Sequence, residues 1–268
     1  MTQTNNPYRA PQLAPATKPW VFLRGLVRES GHWGAFVPFF ESQMPGAQVI
    51  AVDLPGNGAL YRQTSPTQVK AMVESCRQQL RTAGLAPPYA VLAVSMGGMV
   101  AAQWAHDYPQ EVKRQVLINT SMRPFSAFYE RLQPRNWGTV ADLLWRTLRG
   151  RASARRWESA VLRMTTTGTH PHALQDWMLL RLAHPVSAAN ALRQLWAAAR
   201  FRSPPGRPRI PTLLLASTRD GLVAVRCSRV LAHAWQVTLL EHPQAGHDLP
   251  LDDPQWVVQQ LQGWLSPR

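Results

Sequence analysis

The feature that most constrains this chain is an alternation. Short runs, nearly continuous in apolar residues, recur at WVFLRGL (20–26), AQVIAVD (47–53), YAVLAVS (89–95), RQVLINTS (114–121), IPTLLLAS (210–217) and VTLLEHP (237–243). Stretches of helical period separate or follow them, at 32–44, 67–83, 97–109 and, closing the chain, 254–265. A strand with one wet face alternates polar and apolar residues; a strand without a polar face has to be covered on both sides. Strands of that kind joined by helices pair in parallel. The expected fold class is therefore α/β, with a mostly parallel, doubly wound sheet. A length of 268 residues suits one such domain with an insertion.

One segment breaks the alternation. Residues 123–209 show no convincing strand and read as helices at 139–150, 152–163, 172–183 and 187–200. Lying between two sheet strands, the segment has to leave the sheet and return. The expected organisation is a core built from 1–122 and 210–268, with 1–19 a loose, proline-rich lead-in and 123–209 a helical cap. The charge follows the same boundary. Fifteen arginines face four acidic residues within 123–209, a net of +11 out of a total of +14. A codon-driven arginine bias would spread over the whole surface, so the cap is the basic part.

Other totals exclude. No run of about 18 uncharged apolar residues is available to span a membrane, and the N-terminus lacks the basic start and apolar centre of a secretory signal. Cys76 and Cys227 are too few for a disulfide framework or a metal cluster. They read as two reduced thiols of a cytoplasmic protein. Gly56-Asn57-Gly58 and Gly97-Gly98 fit neither nucleotide fingerprint, so neither a cofactor nor a metal is expected.

The chemistry is carried by Leu92-Ala93-Val94-Ser95-Met96-Gly97-Gly98 at a strand-to-helix junction. A serine on a very tight turn presents its hydroxyl above the sheet edge, and its neighbours have to be small for strand and helix to approach. The following helix N-terminus points amides and positive dipole at the reacting centre. Glycine is usual two residues before such a serine; Ala93 stands there and is small enough.

The order strand–Ser–helix, then a cap, then Asp after a strand, then His near the end resembles the α/β-hydrolase superfamily over roughly residues 20–265. That resemblance implies His247, in Gln244-Ala245-Gly246-His247-Asp248, as general base, and Asp220, in Arg219-Asp220-Gly221-Leu222-Val223, as the acid that orients it. Asp248 and Asp252 are the fallback acids. The resemblance also implies an oxyanion hole from the amides of Met96 and Leu26, with Arg24-Gly25-Leu26 replacing the more frequent His-Gly. Gly25 lets the backbone turn, and Arg24 sets a cation near the site entrance. The sequence leaves open whether Arg24 touches substrate or packs outward. Trp33 and Met99 are further candidates for substrate contact.

A serine at the elbow excludes the dehalogenase and epoxide-hydrolase chemistries, which need aspartate there. Acyl transfer through an acyl-enzyme remains. The cap is apolar as well as basic, which suggests an apolar acyl pocket. Arg146, Arg149, Arg151, Arg155 and Arg156 form a candidate ridge for an acidic partner. In this the chain is similar to the pimeloyl-carrier-protein methyl ester esterases, which implies acyl carrier protein as the bearer of the acyl chain; coenzyme A, with its phosphates, would suit the same ridge. The competing reading is a non-catalytic receptor or binding protein on the same fold. Nucleic-acid binding and stable membrane insertion are not expected.

Overall fold

The computed structural model describes residues 18–266; the expected lead-in, up to residue 17, lies outside them. The first half of the chain runs β1 (Lys18–Leu23), α1 (Phe36–Gln43), β2 (Ala47–Val52), α2 (Val69–Thr82), β3 (Tyr89–Val94), α3 (Met96–Asp107) and β4 (Val112–Ile118). A helical stretch follows: α4 (Phe128–Arg131), α5 (Trp137–Leu148), α6 (Ala154–Thr165), α7 (Pro171–Ala183) and α8 (Ala188–Arg200). The chain then completes the sheet with β5 (Thr212–Ser217), α9 (Arg226–Trp235) and β6 (Thr238–His242), and ends in α10 (Leu249–Asp252) and α11 (Pro254–Leu265).

All pairings in the sheet are parallel, in the order β2-β1-β3-β4-β5-β6. Alternate strand residues feed two cores. Val21, Leu23, Val91, Ala93, Leu117 and Leu214 meet α2, α3 and α9 on one face. Trp20, Phe22, Leu92, Val94, Ile118 and Leu215 meet α1 and α11 on the other. This two-sided burial is why the strands read as continuous apolar runs. Each fully buried Leu or Phe among them contributes about 2–3 kcal/mol.

Chain order places the site. From β1 the chain moves outward to β2, then returns to the other side of β1 to form β3. At such a reversal the loops leaving two neighbouring strands diverge and open a crevice at their carboxyl ends. Here those loops are 24–29, after β1, and the turn at Ser95, after β3.

Two sequence expectations change. The first apolar run stops being strand at Leu23, so Arg24, Gly25 and Leu26 lie in a loop. The helix expected at 67–83 spans Val69–Thr82 as α2. Ser65, before it, is buried; its hydroxyl donates to the Pro55 carbonyl at 2.7 Å and its amide donates to Asn190 Oδ1 at 2.9 Å. Ser65 thus joins the core to α8.

Candidate active site

Ser95 occupies the turn between β3 and α3 with φ 57 and ψ −119, backbone angles that a residue with a side chain rarely adopts. Such a conformation persists only where the surroundings impose it. Its amide donates to the Ile118 carbonyl at 2.9 Å, and its carbonyl accepts from Thr120 Oγ1 at 2.8 Å. Close packing explains the small neighbours. A Cβ on Gly97 would stand 2.5 Å from the Leu23 carbonyl oxygen, and one on Gly25 would stand 3.1 Å from Ser95 Cβ. Both glycines let β1 and the elbow touch. Ser95 is the partly exposed member of the site; Asp220 and His247 are buried.

His247 Nδ1 lies 2.7 Å from Asp220 Oδ2. The other carboxylate oxygen accepts from the Leu222 and Val223 amides at 2.7 and 2.9 Å. A buried carboxylate with three donors is fixed in place, and it holds the imidazole proton on Nδ1. Nε2 is then the free lone pair. Among the described residues Ser95 Oγ makes no hydrogen bond to it, a looseness common in catalytic sites before substrate binds.

The Leu26 and Met96 amides have no acceptor among the described residues. Leu26 follows Gly25, which packs close to Ser95, and Met96 opens α3 directly after it. One orphan amide belongs to a helix start and the other to a loop.

The fallback acids are occupied elsewhere. Arg24 donates Nη1 and Nη2 to Oδ1 and Oδ2 of Asp248 at 3.0 and 2.5 Å. Burial pushes the Asp248 carboxyl up, but the Arg24 guanidinium, with Arg28 and His247 nearby, outweighs this and holds it below the usual carboxylate range. Asp252 Oδ1 meets His170 Nε2 at 2.8 Å, and its Oδ2 accepts the Gly246 amide at 2.6 Å.

Arg24 itself is a correction. It is only 5 % exposed, lies over the Trp33 ring at 4.8 Å and spends its charge on Asp248, so it sets no cation at an entrance. Trp33 packs with Phe22 and Phe36, and Met99 belongs to the α2–α3 core. Neither offers an open face to a ligand. One cavity of about 360 Å³ lies between α6 and the Arg219–Gly221 loop, and another of about 500 Å³ lies between α5 and α6. Ser95 and His247 line neither. Above the Leu26 turn, the space is filled by Leu143, Trp157, Ala160 and Met164 of the inserted helices.

Two site residues escaped the sequence reading. Asn119, with φ 48, directly follows β4; it donates to the His247 carbonyl at 2.9 Å and accepts the Ser217 amide at 2.8 Å. The signal was the polar Asn119-Thr120-Ser121 at the end of an apolar run. Thr165, ending α6, accepts the Asp248 amide at 2.7 Å and so holds the histidine loop from the insertion; nothing local marked it. The proposed ridge is mixed. Arg146 and Arg156 both turn to Asp142, at 2.7 and 3.4 Å, and Arg149 lies 4.2 Å over Trp145, while Arg151 and Arg155 are exposed.

The family model described as the alpha/beta hydrolase fold matches residues 18–254. A pimeloyl-[acyl-carrier protein] methyl ester esterase of Chromobacterium violaceum is 26 % identical over 236 residues, 81 % of this chain and 83 % of that protein. A thermophilic esterase from Thermogutta terrifontis superposes with a TM-score of 0.72 at 20 % identity, covering 93 % of this chain and 90 % of that one. An esterase from Exiguobacterium antarcticum gives 0.73 at 18 %, covering 93 % and 92 %. With parallel sheet, strained serine turn and matching family model in agreement, this chain belongs to the α/β-hydrolase fold family.

Proposed function

We propose that this chain is a serine hydrolase that cleaves a carboxylic ester or thioester through an acyl-enzyme on Ser95. The observation that carries the reading is the buried Asp220–His247 hydrogen bond, which leaves His247 Nε2 as a base on the same sheet edge as a strained, accessible serine. His247 takes the Ser95 proton as Oγ attacks the carbonyl carbon. The Leu26 and Met96 amides receive the oxyanion, each lowering the barrier by about 3 kcal/mol. The leaving alcohol or thiol departs with the proton from His247, and a water deprotonated by the same ring then releases the acid.

The inserted helices act as a cap, with the acyl chain lying against its apolar underside beside Leu26. An acidic carrier is the favoured bearer of that chain, either acyl carrier protein or coenzyme A. Two observations support this: the insertion is basic, and every large exposed apolar residue of the described chain lies on it, from Phe128 to Trp196. The relative whose name includes an acyl-carrier protein points the same way.

The test pairs a fluorophosphonate probe with a short p-nitrophenyl ester, on wild type and Ser95→Ala. Covalent labelling and turnover in wild type, both lost in the variant, are expected. An inert wild type that still binds ligands would turn the reading into that of a receptor.

A further inference from the structure

The amide that completes the proposed oxyanion hole sits in a turn its own residues do not favour. Arg28 N–H donates to the Gly25 carbonyl at 3.3 Å, closing Gly25–Arg28, and Val27 in the third position has φ 58. A β-branched residue takes that angle only when something outside the turn holds it.

The hold comes largely from one residue of α8. Gln194 Oε1 accepts the Val27 amide at 2.8 Å. Gln194 Nε2 donates to Asn57 Oδ1 at 2.8 Å and to Ser65 Oγ at 3.0 Å. Asn57 Nδ2 donates in turn to the Arg28 carbonyl at 3.0 Å, so both ends of the strained step are held. Gln194 is fully buried and both ends of its amide are engaged. The Arg28 guanidinium adds a third anchor, donating to Glu158 of α6 at 2.6 Å.

We infer that Gln194 is a positioning residue for the oxyanion hole. From the inserted helices it holds Val27 in its strained conformation and thereby fixes the Leu26 amide over Ser95. Hydrolysis is then fast only while the insertion is docked. This inference rests on the acyl-enzyme reading above.

The structure supplies its own control. Asn190, one turn earlier on α8, is also buried and also joins the insertion to the core. It accepts the Ser65 amide at 2.9 Å and donates to the Gln63 carbonyl at 2.9 Å, and it makes no hydrogen bond to residues 24–28. Losing Asn190 loosens the docking without releasing the turn.

The experiment compares wild type, Gln194→Met, Gln194→Glu and Asn190→Ala. It measures p-nitrophenyl ester hydrolysis, the rate of fluorophosphonate labelling and thermal midpoints. In Gln194→Met, kcat and the labelling rate are expected to fall roughly tenfold to a hundredfold with KM nearly unchanged, since a misplaced amide is felt in the transition state. Gln194→Glu retains an acceptor for the Val27 amide and, with burial keeping its carboxyl protonated, a donor to Asn57 Oδ1, so it is expected to recover kcat to within about threefold of wild type. Asn190→Ala is expected to lose thermal stability while keeping kcat. A kcat loss in Asn190→Ala equal to that in Gln194→Met would overturn the inference, because any loosening of the insertion would then suffice. So would a folded Gln194→Glu that fails to recover. If Gln194→Met does not fold, Gln194→Glu against Asn190→Ala decides. A wild type inert to ester and probe would remove the acyl-enzyme reading and the positioning role together. An active wild type indifferent to Gln194 would remove only the latter.

Discussion

At the scale of single residues, much of the site's electrostatics is settled beneath the surface, by charges that are paired and rings that are kept neutral. His32 lies among Arg24, Arg28 and Arg181, and Arg28 Nη1 stands 2.6 Å from its Nε2, a contact only a neutral ring accepts. Burial first, then the charges of Arg28 and Arg24, hold the ring well below its ordinary value of 6.5. The sign follows directly. The unfolded chain binds a proton at His32 that the native protein refuses, so this residue's contribution is complete above pH 6.5 and is lost as pH falls below it. Denaturant midpoints between roughly pH 7 and 5 are expected to fall more steeply for wild type than for His32→Asn. The difference approaches about 1.4 kcal/mol per pH unit. Parallel curves would place the acid sensitivity elsewhere. The thiols behave similarly: burial pushes Cys76 up to about 12 and Cys227 up to about 11, so neither is a nucleophile near neutrality.

At the scale of elements, the carboxyl ends of β3, β4 and β5 each end in a residue of the site, and β4 supplies the tie between the others. Asn119 joins Ser217 at the end of β5 to the His247 loop after β6 through four hydrogen bonds of 2.8 to 3.2 Å. Asn119→Ala would leave the buried Ser217 amide unpaired and would keep a positive φ that alanine tolerates poorly. A stability loss of about 3 kcal/mol is expected. Because the lost bonds also hold the histidine loop, kcat is expected to fall at least about tenfold with little change in KM. Urea denaturation and steady-state hydrolysis on the same preparation read both. A variant that lost stability and kept kcat would show the histidine loop to be held without Asn119, by Thr165, Asp220, Asp252 and Arg24.

At the scale of the whole molecule, positive charge and exposed apolar surface lie on one part of the chain. Residues 123–209 hold fifteen of the 26 arginines, and three of their four acids, Glu130, Asp142 and Glu158, are engaged in ion pairs. Such a surface speeds encounter with an acidic partner, an effect that salt screens beyond about 8–10 Å. For a substrate carried on acyl carrier protein, kcat/KM is expected to fall several-fold between roughly 50 and 300 mM salt. For a neutral p-nitrophenyl ester it is expected to stay level. Equal salt dependence for both substrates would argue against docking through the arginines.

What the sequence alone determined is what local pattern encodes. Continuous apolar runs specify strands buried on both faces, helical period fills the gaps between them, and small residues around Ser95 specify a tight turn that no ordinary loop needs. The closing helix matched its expected bounds of 254–265 for the same reason, since Asp253-Pro254 supplies a start signal that does not depend on the rest of the fold. What only the tertiary structure decided is which distant groups meet. Arg24 reads as a cation at an entrance until Asp248, 224 residues away, takes both ends of its guanidinium. Gln194 reads as one more polar residue of a helix until Val27, 167 residues earlier, gives it an amide to hold. A buried charge or a strained amide has to find its partner wherever the packing brings one, and that choice is made by the closed chain as a whole, beyond the reach of any window of sequence.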